Sequence, residues 1–97
     1  MRDGLGHLVF RPHAIKRMFE RRIGRDEVRN ALVQGEVIEA YPEDRPFPSR
    51  LVLGWDELRP LHVVAARNEE EDETIVITVY EPEPDKWEPD FKRRRIS

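Results

Sequence analysis

The chain has 97 residues, no cysteine and a formal charge of −3. That length suits one small domain and one core, and the missing thiols exclude disulfides and thiolate chemistry. No apolar run approaches the roughly 20 residues a membrane helix needs, and "MRDGLGH" lacks the apolar centre of a secretory signal, so a cytoplasmic location is expected. The negative total conceals a segregation. Basic residues dominate from Arg11 to Arg29 and return at Lys92, Arg93, Arg94 and Arg95, whereas acids crowd "EEEDE" and "EPEPDKWEPD". An anionic partner responds to the local field, so the overall sign does not exclude one.

In chain order, "GHLVF" is a short apolar run, either a first strand or a lead-in to a helix. Pro12 fits the first helical turn, although Arg11 is a poor N-cap. Ala14, Ile15, Met18 and Phe19 recur at helical spacing and predict a core-facing stripe. His13, Arg17 and Arg21 lie four apart and stack along one edge of the same helix. Gly24 breaks this helix and caps a second one, "GRDEVRNALVQG", with Glu27 three residues on. Val28, Ala31 and Leu32 give it an apolar stripe, and Gly35 suits its end.

After Gly35 the period changes to two. "EVIEAY", "SRLVLGW", "PLHVVAAR" and "ETIVITVY" read as strands. The segments between them are too short for parallel crossovers. The expectation is an α+β domain: two N-terminal helices packed on a four-stranded antiparallel meander sheet. Its core covers about 7–91, Trp87 and Phe91 anchor the proline-rich end, and the charged tail 92–97 is mobile.

His13, Arg17 and Arg21 form the sharpest constellation. Arginine grips phosphate in a planar, bidentate way, and histidine exchanges protons near neutral pH; the competing reading is a solvated helix edge. His62 sits in a strand with both faces partly apolar, so it either faces a substrate or is a hydrogen-bonded histidine at a strand end. Tyr80 lies in line with Thr74, Val76 and Thr78, where it can meet a base or phosphate or be a half-buried aromatic. Arg22, Arg50, Lys86, Arg93, Arg94 and Arg95 are candidate nucleic-acid contacts, with Trp87 as aromatic neighbour. The three histidines show no metal-ligand spacing. No cofactor motif and no nucleophilic serine motif occurs.

"FRPHAIKRMFERRIGRDEVRNAL", "GEVIEAYPEDRPFPSRLVLGW", "RPLHVVAA" and "TIVITVYEPEPDKWEPDFKRRR", in that order, resemble the bacterial domain-of-unknown-function 4258 family. That family has a histidine–alanine pair opening a helix, then arginines, a tyrosine–proline segment, a leucine–histidine–valine strand and a last strand ending threonine–valine–tyrosine. Arg11 stands where the family often has serine or threonine. The family is distantly similar to the RelE/ParE toxin superfamily, which implies a helix pair on an antiparallel sheet, RNA as substrate and an antitoxin protein as partner. The resemblance implies that His13, His62, Arg17, Arg21, Tyr80 and the basic tail match the family's polar positions. Two functions are expected from this: a toxin-like, metal-independent endoribonuclease, or a non-catalytic protein- or nucleic-acid-binding module. The first needs the histidines. The second needs only the arginines.

Overall fold

The computed structural model describes residues 3–96. Its elements run β1 (His7–Phe10), α1 (Pro12–Arg21), α2 (Arg25–Gln34), β2 (Glu36–Tyr41), β3 (Ser49–Asp56), β4 (Arg59–Asn68) and β5 (Glu73–Tyr80). The strands form one sheet in the order β1-β5-β4-β3-β2. From β2 to β5 each strand pairs antiparallel with the next, as the short connections require. The sheet departs from the predicted four-stranded antiparallel meander in one respect: β1 adds a fifth strand, parallel to β5, with Val9 opposite Ile75. Connection length constrains only strands consecutive in sequence, and β1 and β5 have the rest of the fold between them.

Pro12 opens α1 without a side-chain cap from Arg11. The helix ends at Arg22, which takes the left-handed conformation (φ 54°), while the Ile23 N–H donates to the Met18 carbonyl at 2.8 Å. Arg22, not Gly24, therefore makes the stop. Gly24 caps α2, its N–H donating to the Glu27 carboxylate at 3.2 Å. Of the predicted stripe on α1, Ala14 and Met18 are buried, but Ile15 and Phe19 are 51% and 87% exposed. Successive helical residues turn by about 100°. The contact line through Ala14 and Met18 is therefore flanked by His13, Arg17 and Arg21 on one side and by Ile15 and Phe19 on the other.

Both helices lie on one face of the sheet. Their Ala14, Met18, Val28 and Ala31 meet Leu61, Val63, Ala65, Val76 and Val79. A fully buried Val or Leu side chain contributes roughly 1.5–3 kcal/mol, so this cluster is the main apolar source of stability. Gly54 lets α2 approach β3: a Cβ there would lie 2.4 Å from that of Ala31.

The opposite face is covered by residues 81–96, folded back on themselves. Trp87 and Arg94 form an isolated bridge, and the Arg95 N–H donates to the Lys86 carbonyl at 2.9 Å. Lys92 pairs with Glu36 at 2.9 Å and Arg94 with Glu39 at 3.6 Å, carrying the segment across to β2. Trp87 is 3% exposed. Residues 92–96 of the charged tail thus belong to this cover, whereas Ser97 lies outside the described residues.

Candidate nucleic-acid cleft

Pairing with β1 ends at Phe10 and Val76, so β5 from Ile77 to Tyr80 has no strand neighbour on that side among the described residues. A bulge changes its alternation here: Val64 pairs with Thr78, but Ala65 pairs with Val76. Val76 and Val79 therefore both face the helices, and Thr78 and Tyr80 face the C-terminal segment. The simple alternation that aligns Tyr80 with Val76 is corrected by this extra residue.

A cleft of about 360 Å³ opens beside the unpaired stretch. His13, Arg17 and Arg21 line it from α1, Thr78 and Tyr80 from β5, and Lys86, Trp87 and Arg94 from the C-terminal segment. Glu81 and Glu83 also reach it, but Glu81 pairs with Arg59 at 3.5 Å and Glu83 with Lys86 at 3.7 Å. Arg94 stacks over Trp87 at 4.6 Å as well as pairing with Glu39. Arg17 and Arg21 have no carboxylate partner among the described residues, so their guanidinium groups are the available donors of the cleft. Their exposure follows from the helix geometry: the i, i+4, i+8 edge borders the contact line without entering it.

His62 lies beneath this cleft and does not line it. It is 0% exposed, so the open-surface reading of this strand gives way to the hydrogen-bonded one. Its Nε2 is 2.8 Å from the Phe91 carbonyl and its Nδ1 3.1 Å from the Tyr80 hydroxyl. Trp87 meets the imidazole edge-on, with ring centroids 4.4 Å apart and planes at 90°. Burial lowers the pKa of His62, opposed by the Phe91 bond. Burial also pushes the Tyr80 phenol upward, opposed by Arg94. Nearby Tyr41 is pushed up to about 12 by burial and by its hydrogen bond to Glu39.

The remaining predicted contacts are dispersed. Arg22 is exposed in a shallow groove with Phe19 and Glu27. Arg50 is exposed on β3 opposite Ala65, on the helix-facing side of the sheet. Arg93 pairs with Asp90 at 3.4 Å and Arg95 with Glu88 at 3.6 Å, and neither lines the cleft. Lys86 and Arg94 alone of the second set join His13, Arg17, Arg21 and Tyr80. Thr78 and the Phe91 carbonyl are additions to the predicted site residues. A backbone acceptor leaves no mark in a sequence, whereas the outward phase of Thr78 followed from its place two residues before Tyr80. Among the described residues, no three His, Asp or Glu side chains are placed to hold a metal ion, and no helix is long and apolar enough to cross a membrane.

The family model for the domain of unknown function DUF4258 matches residues 10–81. The chain belongs to that family. The DUF4258 match contains α1, β4 and β5, and so His13, Arg17, Arg21, His62 and Tyr80; Lys86, Trp87, Phe91 and Arg94 come from beyond it. No curated protein and no solved structure matches the chain.

Proposed function

We propose that this DUF4258 protein is a toxin-like, metal-independent endoribonuclease of RelE-like type, with the scissile phosphodiester held in the cleft between α1, β5 and the C-terminal segment. The observation that carries this reading is the gathering of His13, Arg17, Arg21 and Tyr80 at one concave surface. RNA supplies its own nucleophile: the 2′-oxygen attacks phosphorus as its proton leaves, the bond to the 5′-oxygen breaks, and that oxygen takes up a proton. The products are a 2′,3′-cyclic phosphate and a 5′-hydroxyl. Such chemistry asks the protein for proton transfer and for donors around the doubly charged phosphorane. Arg17 and Arg21 are the donors, with no carboxylate partner among the described residues. His13 is the exposed proton carrier, and His62 acts only through Tyr80. Lys86 and Arg94 bind the adjoining phosphates. RNA as substrate implies a cytoplasmic site of action, and a toxin-like activity implies an antitoxin partner that occupies the cleft.

The test is incubation of the protein with mixed RNA in excess chelator. Cleavage with cyclic-phosphate ends is expected, falling about 10²–10⁴-fold in His13→Ala and about 10²–10³-fold in the Arg17→Ala, Arg21→Ala double variant. Unchanged cutting by the variant lacking all three side chains sinks the assignment. One observation favours the second reading, a non-catalytic binding module: with His62 sealed away, the cleft has a single accessible imidazole. RNA that binds, depends on Arg17 and Arg21, and is never cut decides for that module.

A further inference from the structure

Three groups in series fix the direction of the Tyr80 hydroxyl proton. The Phe91 carbonyl can only accept, so the His62 nitrogen facing it, Nε2 at 2.8 Å, carries the ring proton. A second proton would make a charge on a side chain with 0% exposure, which burial disfavours. Nδ1 therefore presents a lone pair, and its partner at 3.1 Å, the Tyr80 hydroxyl, must donate. Turning the ring by 180° would put carbon atoms where Nδ1 and Nε2 now meet Tyr80 and Phe91, and both hydrogen bonds would be lost. Having given its one proton inward, the Tyr80 oxygen has only lone pairs left for a ligand.

Of the other polar groups of the cleft, the His13 imidazole and the Thr78 hydroxyl can each donate or accept, so neither has the fixed polarity of Tyr80. Arg17, Arg21, Lys86 and Arg94 are donors only, suited to phosphate oxygens and unable to receive a hydroxyl proton. Glu81 and Glu83 are engaged by Arg59 and Lys86. We propose that Tyr80 is a fixed hydrogen-bond acceptor that reads the sugar 2′-hydroxyl, so that the cleft selects ribose over deoxyribose, and that His62 is the positioning residue which sets this polarity. The inference rests on the cleft being a nucleic-acid phosphodiester site. It adds a sugar-recognising group whose effect is measurable without any cleavage, because the 2′-hydroxyl is what distinguishes RNA from DNA at a binding site.

The experiment measures binding of one single-stranded sequence, synthesised with ribose, deoxyribose or 2′-fluoro sugars, to the full chain carrying His13→Ala to keep the RNA intact. Fluorine matches the hydroxyl in size and cannot donate. Ribose is expected to bind about 3- to 10-fold tighter than either analogue, the range of one net hydrogen bond. Tyr80→Phe should bring the three affinities together at the deoxyribose value. His62→Phe should erase the preference with the Tyr80 hydroxyl still present, and His62→Asn, whose side-chain oxygen can replace the Nδ1 lone pair, should restore it. Nitrogen-15 chemical shifts of the His62 ring in the unsubstituted protein give a check that no folding defect can obscure: a protonated Nδ1 overturns the proposal. Equal binding of all three sugars overturns it too and leaves the phosphodiester reading intact, whereas no binding of any oligonucleotide removes both.

Discussion

One face of the sheet lies under α1 and α2 and is sealed by aliphatic side chains; on the other, under residues 81–96, Leu51 and Leu53 share the seal with an imidazole, an indole and a phenol, the imidazole hydrogen-bonded to the phenol. Leu61 and His62 are neighbours in β4, both 0% exposed, and point to opposite faces. Leu61 is satisfied by any close-packed apolar surroundings. His62 needs an acceptor for Nε2 and a donor for Nδ1, because an unpartnered buried polar group costs about 1–3 kcal/mol. The helix face therefore stabilises without directing. The tail face directs as well: it admits one ring orientation and one hydroxyl orientation, next to the cleft.

Three measurements can break or sharpen this contrast. The largest effect is expected on the helix face, where Leu61→Ala should lower unfolding free energy by about 4 kcal/mol, within the usual 2–5 kcal/mol for such a truncation. Urea denaturation measures it, and a loss under 1 kcal/mol denies that face its role. Trp87→Ala should cost somewhat less, about 3 kcal/mol, because the segment bearing it is joined to the sheet through exposed ion pairs as well as packing. It should also let water reach His62 and raise that pKa toward 6.5, readable by proton NMR titration; an unmoved His62 would mean that Trp87 is not the seal.

The smallest effect is the pH dependence His62 imposes. Its pKa in the folded protein lies below the ordinary 6.5, so below pH 6.5 the unfolded chain binds the proton more readily than the native one. Stability from this group is complete above about pH 6.5 and is lost as pH falls toward the folded pKa, by at most about 1.4 kcal/mol per pH unit. Comparing urea midpoints at pH 7.5 and 5.5, the wild-type protein should lose stability that His62→Asn does not. Equal slopes would place the proton elsewhere.

The helices and β2 to β5 were legible because their periods are local. "EVIEAY" and "ETIVITVY" coincide with β2 and β5, and the four-residue spacing of His13, Arg17 and Arg21 predicted their shared edge. What failed to show in the sequence was non-local. Ile15 and Phe19 have the spacing of core residues, but only the width of the sheet beneath α1 decides how much of an apolar stripe is covered. The strand of His62 is apolar on both sides, so its burial turned on where residues 81–96 run. The second set of arginines was read from charge alone, and charge does not distinguish Arg94, which reaches the cleft, from Arg93 and Arg95, which meet Asp90 and Glu88.

The parallel seam between β1 and β5 has a consequence for vectorial synthesis. Val9 emerges early and finds its neighbour only once Ile75 has been made, and long-range closure of this kind slows folding. Until then the edge of the "HLVF" segment lacks the strand it pairs with in the finished sheet, and an unpaired edge is a template for other chains.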